Sequence, residues 1–285
     1  MSGDTIGVFD SGVGGLSVFR EIRAALPGED LVYVADSGHA PYGDRPGDFI
    51  TRRAETIVEF FVDAGAKAIV VACNTASAVA IHALRSRFPI DIVAIEPAVK
   101  PAVAMTRTGV VGVLATRQTI ASERLARLIR QHGQGVRVLV QPCPGLAELV
   151  ECGDLDGPAA QALVARFVAP LVAQGADTIV LGCTHYPFLV EAIRRAAGAD
   201  VTVIDPAAAV ARELRRRLDT AQRLSRRDAP GIETFWTSGD PGRVQPVVAQ
   251  LWGKHVPVHA LPAAFSLAPS LVTGHWSLEA NRAPG

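Results

Sequence analysis

Two cysteines occupy matching positions in the two halves of this chain. Cys73 ends the apolar run 69–72 and Cys183 ends the run 179–182, and small polar residues follow each cysteine. A buried parallel strand delivers the residues that follow it to the ligand-binding edge of an α/β sheet. We therefore expect the two thiols to face one small substrate from opposite sides.

The cysteines belong to a longer internal repeat. Cys73 and Cys183 are 110 residues apart, Gly7–Phe9 recurs as Gly112–Leu114 at a spacing of 105, and Ile95–Ala98 recurs as Ile204–Ala207 at 109. Three matches in the same order at nearly one period indicate a duplicated β/α half. Any two Rossmann-like halves share apolar strands, but the matched cysteines and acidic-Pro-Ala turns favour duplication.

Short apolar runs alternate with segments of helical period along the whole repeat. Strands are predicted near residues 5–9, 30–35, 67–72, 92–95, 110–114, 136–140, 177–181 and 201–204, with a further strand at 233–237. The runs are apolar on both faces, which is typical of parallel strands covered by helices. The fold class is therefore α/β, with two pseudo-symmetric, mostly parallel, Rossmann-like domains and the active site in the cleft between them.

The acidic-Pro turns suggest where one domain passes into the other. We expect a discontinuous first domain of residues 1–97 plus 207–255 and a second domain of residues 98–206, because an Arg-rich helix and a strand after residue 206 would return the chain to the first unit. Residues 256–285 are rich in Pro, Ala and Ser, and we expect them to form a loosely ordered C-terminal tail.

Composition excludes several classes of function. The chain has 285 residues, 49% of them hydrophobic, and 28 basic residues balance 28 acidic ones. This neutral balance argues against a nucleic-acid or membrane partner and favours a small-molecule ligand. The N-terminus has no basic segment followed by an apolar stretch, and no apolar run could span a bilayer, so we expect a cytoplasmic protein.

Cysteine spacing bears on metals and redox chemistry. The four cysteines show no CxxC pair and no His-interleaved spacing, so we expect free thiols and no metal. A buried single cysteine is more often a packing residue than a catalyst. The pseudo-symmetric pair favours catalysis, because free N–H groups at a strand-to-helix turn lower a thiol's pKa. Cys143 and Cys152 lack this position, and we interpret them as packing residues.

Two other strand ends carry polar or Gly-rich segments. Asp10–Gly15 follows the first strand, and its glycines would let backbone N–H groups approach an anion, although such turns are more often only tight turns. Asp36–Gly43 follows the second strand and is too long for a simple connection, which is typical of a loop that covers a site.

Four motifs together resemble glutamate racemases of the aspartate/glutamate racemase superfamily: Phe9–Gly15, Pro41–Gly43, Ala72–Thr75 and Leu181–Pro187. The resemblance implies that Cys73 and Cys183 are the two acid/base catalysts. It also implies that Asp10, Glu151 and His185 assist them. The residues that it implies for substrate binding are Asp10, Ser11, Pro41, Tyr42, Gly43, Asn74, Thr75, Thr116, Thr119, Thr184 and His185.

The implied reaction interconverts L-glutamate and D-glutamate, without cofactor or metal, and supplies D-glutamate for peptidoglycan synthesis. Inversion by proton transfer needs a base on one face of Cα and an acid on the other, and two opposed thiols supply both. The lysine content agrees with the absence of a pyridoxal cofactor, because the chain has only Lys67, Lys100 and Lys254, and Lys67 begins its strand instead of ending it.

Several alternatives stay open at this stage. Glu148 lies about one helical turn from Glu151, and either carboxylate, or neither, could face the cleft. A related enzyme acting on aspartate would keep both cysteines, although His185 favours glutamate because aspartate racemases typically carry Glu at that place. A decarboxylase or isomerase would use its cysteines differently. A small-molecule-binding regulatory protein would leave two thiols unexplained, and the oligomeric state, with a homodimer possible, is undetermined.

Overall fold

Two parallel sheets form the framework of the molecule. The computed structural model describes residues 4–266. The first sheet has the strand order β10-β9-β2-β1-β3-β4, and every neighbouring pair is parallel. Its strands are β1 Thr5–Asp10, β2 Leu31–Ala35, β3 Ala66–Val71, β4 Asp91–Ala94, β9 Glu233–Thr237 and β10 Val258–Ala260.

The second sheet repeats part of the first. Its strand order is β6-β5-β7-β8, again parallel throughout, and the corresponding order β2-β1-β3-β4 lies inside the first sheet. Its strands are β5 Val110–Ala115, β6 Arg137–Pro142, β7 Thr178–Gly182 and β8 Thr202–Ile204. The predicted fold class is therefore confirmed, and the repeat read from the cysteines corresponds to matched strands β3 and β7.

Helices connect successive strands, as parallel pairing requires. With the first sheet lie α1 Leu16–Ala25, α2 Gly47–Asp63, α3 Asn74–Arg87, α10 Ala207–Thr220, α11 Pro241–Trp252 and α12 Ala263–Ser266. With the second lie α4 Val99–Met105, α5 Arg117–Ala121, α6 Glu123–His132, α7 Leu146–Glu151, α8 Pro158–Ala173 and α9 Val190–Ala197. Two short 3-10 helices, Tyr42–Asp44 and Tyr186–Leu189, stand at the sheet edges.

Successive residues of β1 point to opposite faces of the first sheet and belong to two different hydrophobic cores. Ile6 and Val8 of β1 pack with α1 and α10, whereas Phe9 packs on the other face with α2 and α3. Side chains on a strand alternate in direction, so a strand that is apolar throughout needs a helical layer on each face. The core on the α1 side continues into α7, α8 and α9 of the second unit, so apolar packing joins the two sheets.

The C-terminal stretch differs from the sequence prediction. Val258–Ala260 pairs in parallel with β9, and Leu261 and Phe265 pack into the core that contains α2 and α3. The prediction of a loose tail from residue 256 is therefore wrong for residues 258–266, because a three-residue strand and a single helical turn give almost no periodic signal. The rest of that tail lies outside the described residues. Between residues 4 and 266, no helix is both long and apolar enough to cross a bilayer.

Candidate active site

The two paired cysteines stand at the carboxyl ends of the matched strands β3 and β7. Cys73 is the N-cap of α3, and Cys183 directly follows β7 and precedes the 3-10 helix Tyr186–Leu189. Both are nearly buried, with 4% of Cys73 and 6% of Cys183 exposed. Asp10, a neighbour of Cys73, accepts a hydrogen bond at 3.4 Å from the hydroxyl of Thr184, the residue after Cys183, so both thiols border the same contact between the units.

Cys73 has neutral donors and a carboxyl group as neighbours. Its Sγ accepts a hydrogen bond from the Ala76 N–H at 3.4 Å and donates to the Ser11 hydroxyl at 3.7 Å. Burial raises the pKa of this thiol well above its usual range, and the nearby Asp10 raises it further, despite the helix N–H group. The expected lowering of this pKa is therefore wrong for Cys73, because desolvation outweighs the helix N-terminus.

Cys183 instead has an imidazole as its partner. Its Sγ lies 3.6 Å from His185 Nδ1, and His185 Nε2 lies 2.6 Å from Glu151 Oε1. Burial alone would lower the pKa of His185, but the hydrogen bonds to Cys183 and Glu151 outweigh it and raise that pKa well above its usual range. His185 therefore lies between a thiol and a carboxylate, and these neighbours favour its protonated form.

Glu151 also joins the two units. The same Oε1 atom that faces His185 accepts a hydrogen bond from the backbone N–H of Val13 at 2.8 Å. Val13 lies in the turn between β1 and α1, whereas Glu151 ends α7. Of the two candidate carboxylates, Glu151 is the one that contacts His185, and Glu148 is an exposed residue at the cavity.

Two glycines in the turn between β1 and α1 let Glu151 and His185 of the second unit come close to the backbone of the first unit. A Cβ atom on Gly12 would lie 2.5 Å from Glu151 Cδ, and one on Gly14 would lie 2.5 Å from His185 Cε1. Both distances are below van der Waals contact, so a side chain at either position would displace Glu151 or His185 from its present place. The Gly-rich turn predicted as an anion cradle serves here as a surface for side chains of the second unit.

Asp10 is the counterpart of His185 beside the other thiol. It is fully buried, and it accepts hydrogen bonds from the Gly15 N–H at 3.0 Å and the Thr184 hydroxyl at 3.4 Å. Burial raises the pKa of Asp10, while the charge of His185 opposes that rise. A second contact joins the units nearby, because the Ser17 hydroxyl donates to the Thr184 carbonyl at 3.0 Å.

Further polar side chains lie close to Cys73, and their hydrogen bonding differs. Both polar atoms of the Asn74 side chain are buried and have no hydrogen-bond partner among the described residues. The hydroxyls of Thr75 and Thr116 lie 2.9 Å apart, and those of Thr116 and Thr119 lie 3.0 Å apart. Buried polar groups are normally paired, so an orphaned amide beside Cys73 indicates a place where a polar ligand binds.

The predicted substrate loop borders a small cavity of about 20 Å³ between the units. The cavity is lined by Pro41, Gly43, Asp44, Thr116, Arg117, Cys143, Pro144, Ala147, Glu148 and Tyr186. Gly43 lies against Thr116, at 3.2 Å from the position of its missing Cβ to Thr116 Cβ. Tyr42 departs from the expected picture, because its ring is buried in the first unit and its hydroxyl donates to Asp36.

Two residues that line the cavity, Tyr186 and Cys143, were not predicted as site residues. Tyr186 lies inside the motif that follows Cys183 and donates from its hydroxyl to the Cys143 carbonyl at 3.4 Å. Cys143 is buried, as predicted, but also lines the cavity. The packing role predicted for Cys152 is wrong, because its thiol is exposed at the end of α7.

The structure also bears on whether the site could hold a metal ion or use a lysine. Within the described part of the chain, no three His, Cys, Asp or Glu side chains form a group that could hold a metal ion. Lys67 lies at the start of β3, at the opposite edge from Cys73, where its Nζ is 2.6 Å from Glu29 Oε2. It is therefore not placed to react with a ligand in the cavity.

Comparisons with known proteins identify relatives across almost the full chain. The chain is 52% identical over 261 residues to a glutamate racemase from Methylococcus capsulatus, covering 92% of this chain and 96% of the relative. It is 51% identical over 249 residues to one from Pseudomonas aeruginosa, covering 87% and 94%.

Solved structures give the same grouping. A glutamate racemase isoform from Bacillus anthracis superposes with a TM-score of 0.83 at 33% identity, covering 92% of this chain and 98% of that one. The Escherichia coli glutamate racemase, solved with L-glutamate and the activator UDP-MurNAc-Ala, has a TM-score of 0.77 at 32% identity, covering 90% and 97%. The profile of the Asp/Glu/hydantoin racemase family matches residues 6–214. The chain therefore belongs to the Asp/Glu/hydantoin racemase family and is an isomerase.

Proposed function

We propose that this enzyme interconverts L-glutamate and D-glutamate by proton transfer between Cα and the thiols of Cys73 and Cys183. The observation that supports the proposal is that the two thiols follow the matched strands β3 and β7 and that a hydrogen bond from Thr184 to Asp10 joins their surroundings. Inversion of a stereocentre needs a base and an acid on opposite faces, and a pseudo-two-fold pair of identical groups provides them for either enantiomer.

In each direction one cysteine reacts as thiolate and the other as thiol. The thiolate takes the Cα proton, so that a C–H bond breaks and an S–H bond forms, and the opposite thiol gives its proton to the other face of Cα. After this turnover the first cysteine is a thiol and the opposite cysteine is a thiolate. This form of the enzyme binds the other enantiomer. Asp10 beside Cys73 and His185 beside Cys183 are the groups through which each thiol can regain or lose a proton.

The surroundings of the thiols suit a very weakly acidic Cα–H bond. Both sulfurs are almost excluded from water, and an incompletely solvated thiolate is a stronger base. The Asn74 amide and the Thr75, Thr116 hydroxyls offer oriented donors for the negative charge that develops on the substrate carboxylate. Ser11, Thr119, Thr184 and the Pro41–Gly43 segment complete the substrate-binding set that we propose.

Glutamate is the proposed substrate because of the relatives and the polar groups of the cleft. Glutamate racemases with 31% to 34% identity over most of the chain share the fold, and the Escherichia coli enzyme was solved with L-glutamate. A dicarboxylic amino acid needs donors for two carboxylates, and the threonine cluster offers a second set beside Asn74. The D-glutamate so formed would serve peptidoglycan synthesis.

We also propose that the two sheets mark two domains. The first would comprise residues up to 97 together with those from 207 onward through β10, and the second residues 98–206. This division keeps all four strands of the second sheet in one continuous segment. It places the active site where the domains meet.

To test the proposal, purified enzyme is incubated with L-glutamate or with D-glutamate, with a reductant and without added cofactor. The circular dichroism signal of the amino acid is then recorded over time. Decay of both signals to zero supports the proposal, while decay with aspartate alone would replace the substrate. In deuterium oxide, two opposed bases place solvent deuterium in the first product molecules and leave recovered substrate protiated. Early deuterium in the recovered substrate would contradict the two-base mechanism.

A further inference from the structure

A buried ionic cluster lies behind the Pro41–Gly43 segment. The side chains of Asp36 and Arg53 are fully buried, and Arg53 donates from Nη2 to Asp36 Oδ1 at 2.7 Å and from Nε to Oδ2 at 3.1 Å. The Tyr42 hydroxyl donates to the same Asp36 Oδ2, and His39 Nδ1 lies 3.1 Å from Oδ1. Both carboxylate oxygens are therefore used.

Burying the charges of Asp36 and Arg53 costs free energy of folding, so a functional reason for this pair is worth seeking. Removing two charges from water is expensive, and a buried ion pair is often no more stabilising than apolar residues of similar size. Burial would raise the pKa of Asp36, but the hydrogen bonds from His39 and Arg53 outweigh it and lower that pKa. Asp36 is therefore a permanent anion whose charge fixes the direction of every donor around it.

Among the groups that donate hydrogen bonds to Asp36, Tyr42 is the one whose neighbours in the chain line the cavity. Its neighbours Pro41 and Gly43 line the cavity between the units, and Gly43 lies against Thr116 of the second unit. The Tyr42 carbonyl accepts the Arg45 N–H at 3.1 Å, which closes the short 3-10 helix. A ring held at its far end by a buried anion leaves its own backbone little freedom to move.

We propose that Asp36 and Arg53 are positioning residues of the racemase, which anchor the Tyr42 ring and thereby hold the Pro41–Gly43 backbone in the place where it meets the substrate. The inference rests on the proposed function, because it treats that segment as part of the substrate site. The competing explanation is that the pair only stabilises the first domain.

A second buried ion pair provides the matched control. Lys67 and Glu29 lie 2.6 Å apart with 0% and 3% of their side chains exposed, and Lys67 is near the start of β3, whereas Asp36 directly follows the end of β2. Loss of either pair leaves an unpaired buried charge, so both changes should destabilise the fold. Only loss of the Asp36–Arg53 pair should also alter substrate binding.

The experiment compares Arg53→Met, Asp36→Asn and Lys67→Met with the unmodified enzyme. For the first two we expect KM for both enantiomers to rise about tenfold while kcat changes less than about threefold, because the loop binds substrate but supplies no proton. Lys67→Met should lower the melting temperature similarly but leave KM within about twofold. Since the equilibrium constant between enantiomers is one, kcat/KM must fall equally in both directions, which checks the data internally.

A milder variant and a second readout keep the proposal testable if a charge deletion prevents folding. Tyr42→Phe keeps the ring and removes only the hydroxyl, and we expect KM to rise about threefold to tenfold. Hydrogen exchange of the Arg45 amide should quicken in Tyr42→Phe and Arg53→Met but not in Lys67→Met, and this measurement needs no substrate. Unchanged KM and unchanged Arg45 exchange in a folded variant would overturn the positioning role. An unmodified enzyme inactive on glutamate would instead contradict the proposed function.

Discussion

Glu151 Oε1 lies 2.6 Å from His185 Nε2 within the second unit, and the same oxygen is the one that contacts the first unit. The carboxylate that fixes the imidazole also accepts the Val13 N–H of the first unit. The imidazole then faces Cys183 with its other nitrogen. The position of the first unit and the charge beside the thiol are therefore linked through a single oxygen atom.

The first prediction concerns the pH dependence of stability in Glu151→Gln. The pKa of His185 is raised in the folded state, so its cation stabilises the fold fully below the unfolded pKa of about 6.5 and progressively less as pH rises through the folded value. Removing the carboxylate weakens that effect. We expect the melting temperature of the variant to lie furthest below that of the parent near pH 6, and the gap to shrink at alkaline pH.

The matched control for this prediction is Glu148→Gln, since Glu148 is exposed on the same helix α7. Its melting curve should follow that of the parent at every pH. A gap for Glu151→Gln that widens toward alkaline pH would contradict the proposed state of His185.

The second prediction concerns the thiols. Cys73→Ala and Cys183→Ala should each lower kcat for both enantiomers by about a thousandfold or more, because either direction needs one base and one acid. Cys152→Ala removes an exposed thiol and should retain the activity of the parent. Polarimetry or circular dichroism of both enantiomers gives the rates, and near-normal racemisation in either single variant would rule out the pair as catalysts.

The third prediction concerns the approach of the two units. Gly12→Ala places a methyl group against Glu151, and we expect a loss of about 1–3 kcal/mol in the free energy of unfolding, typical of overpacking, together with a fall in kcat/KM. Gly47→Ala at the first position of α2 meets only Val79 at 3.4 Å and should be neutral or slightly stabilising. Denaturant titration measures both, and equal stabilities would refute the close contact.

The fourth prediction separates stability from function at Asn74. Its amide is buried without a partner in the described structure, so Asn74→Ala should raise the free energy of unfolding by about 1 kcal/mol while raising KM for glutamate. Ser77 is buried on the same helix, and its hydroxyl donates to the Val71 carbonyl at 3.2 Å. Ser77→Ala should therefore show the opposite pattern, lower stability with an unchanged KM.

Much of the fold could be predicted because buried parallel strands leave a plain sequence signal. The predicted strands ending before Cys73 and Cys183 match β3 and β7, and the repeat emerged from residues at strand ends. The short β10 was missed because a three-residue strand is specified by its neighbour β9 instead of by its own pattern. The rise in the pKa of Cys73 was missed because it depends on nearly complete burial, which only the tertiary fold produces.

Contacts between residues far apart in the chain could not be predicted from the sequence, because they also depend on the tertiary fold. Arg53 lies 17 positions after Asp36 on a different element, and nothing in its neighbourhood distinguishes it from the other arginines of the chain. Glu151 and Val13 are separated by 138 positions. Such pairs form only when the helices have settled on their sheets, so their partners follow from the tertiary fold.

The order of strands along the chain has a consequence for how the protein is made. The four strands of the second sheet are contiguous between residues 110 and 204, whereas the first sheet needs β9 and β10, which are synthesised last. On the ribosome, the second sheet can therefore close while β1 to β4 still lack the strand that pairs with β2 on its outer side. The edge of β2 therefore stays open until residues 233–237 leave the exit tunnel, although the partners of the Cys73 thiol, Ser11 and Ala76, are made long before.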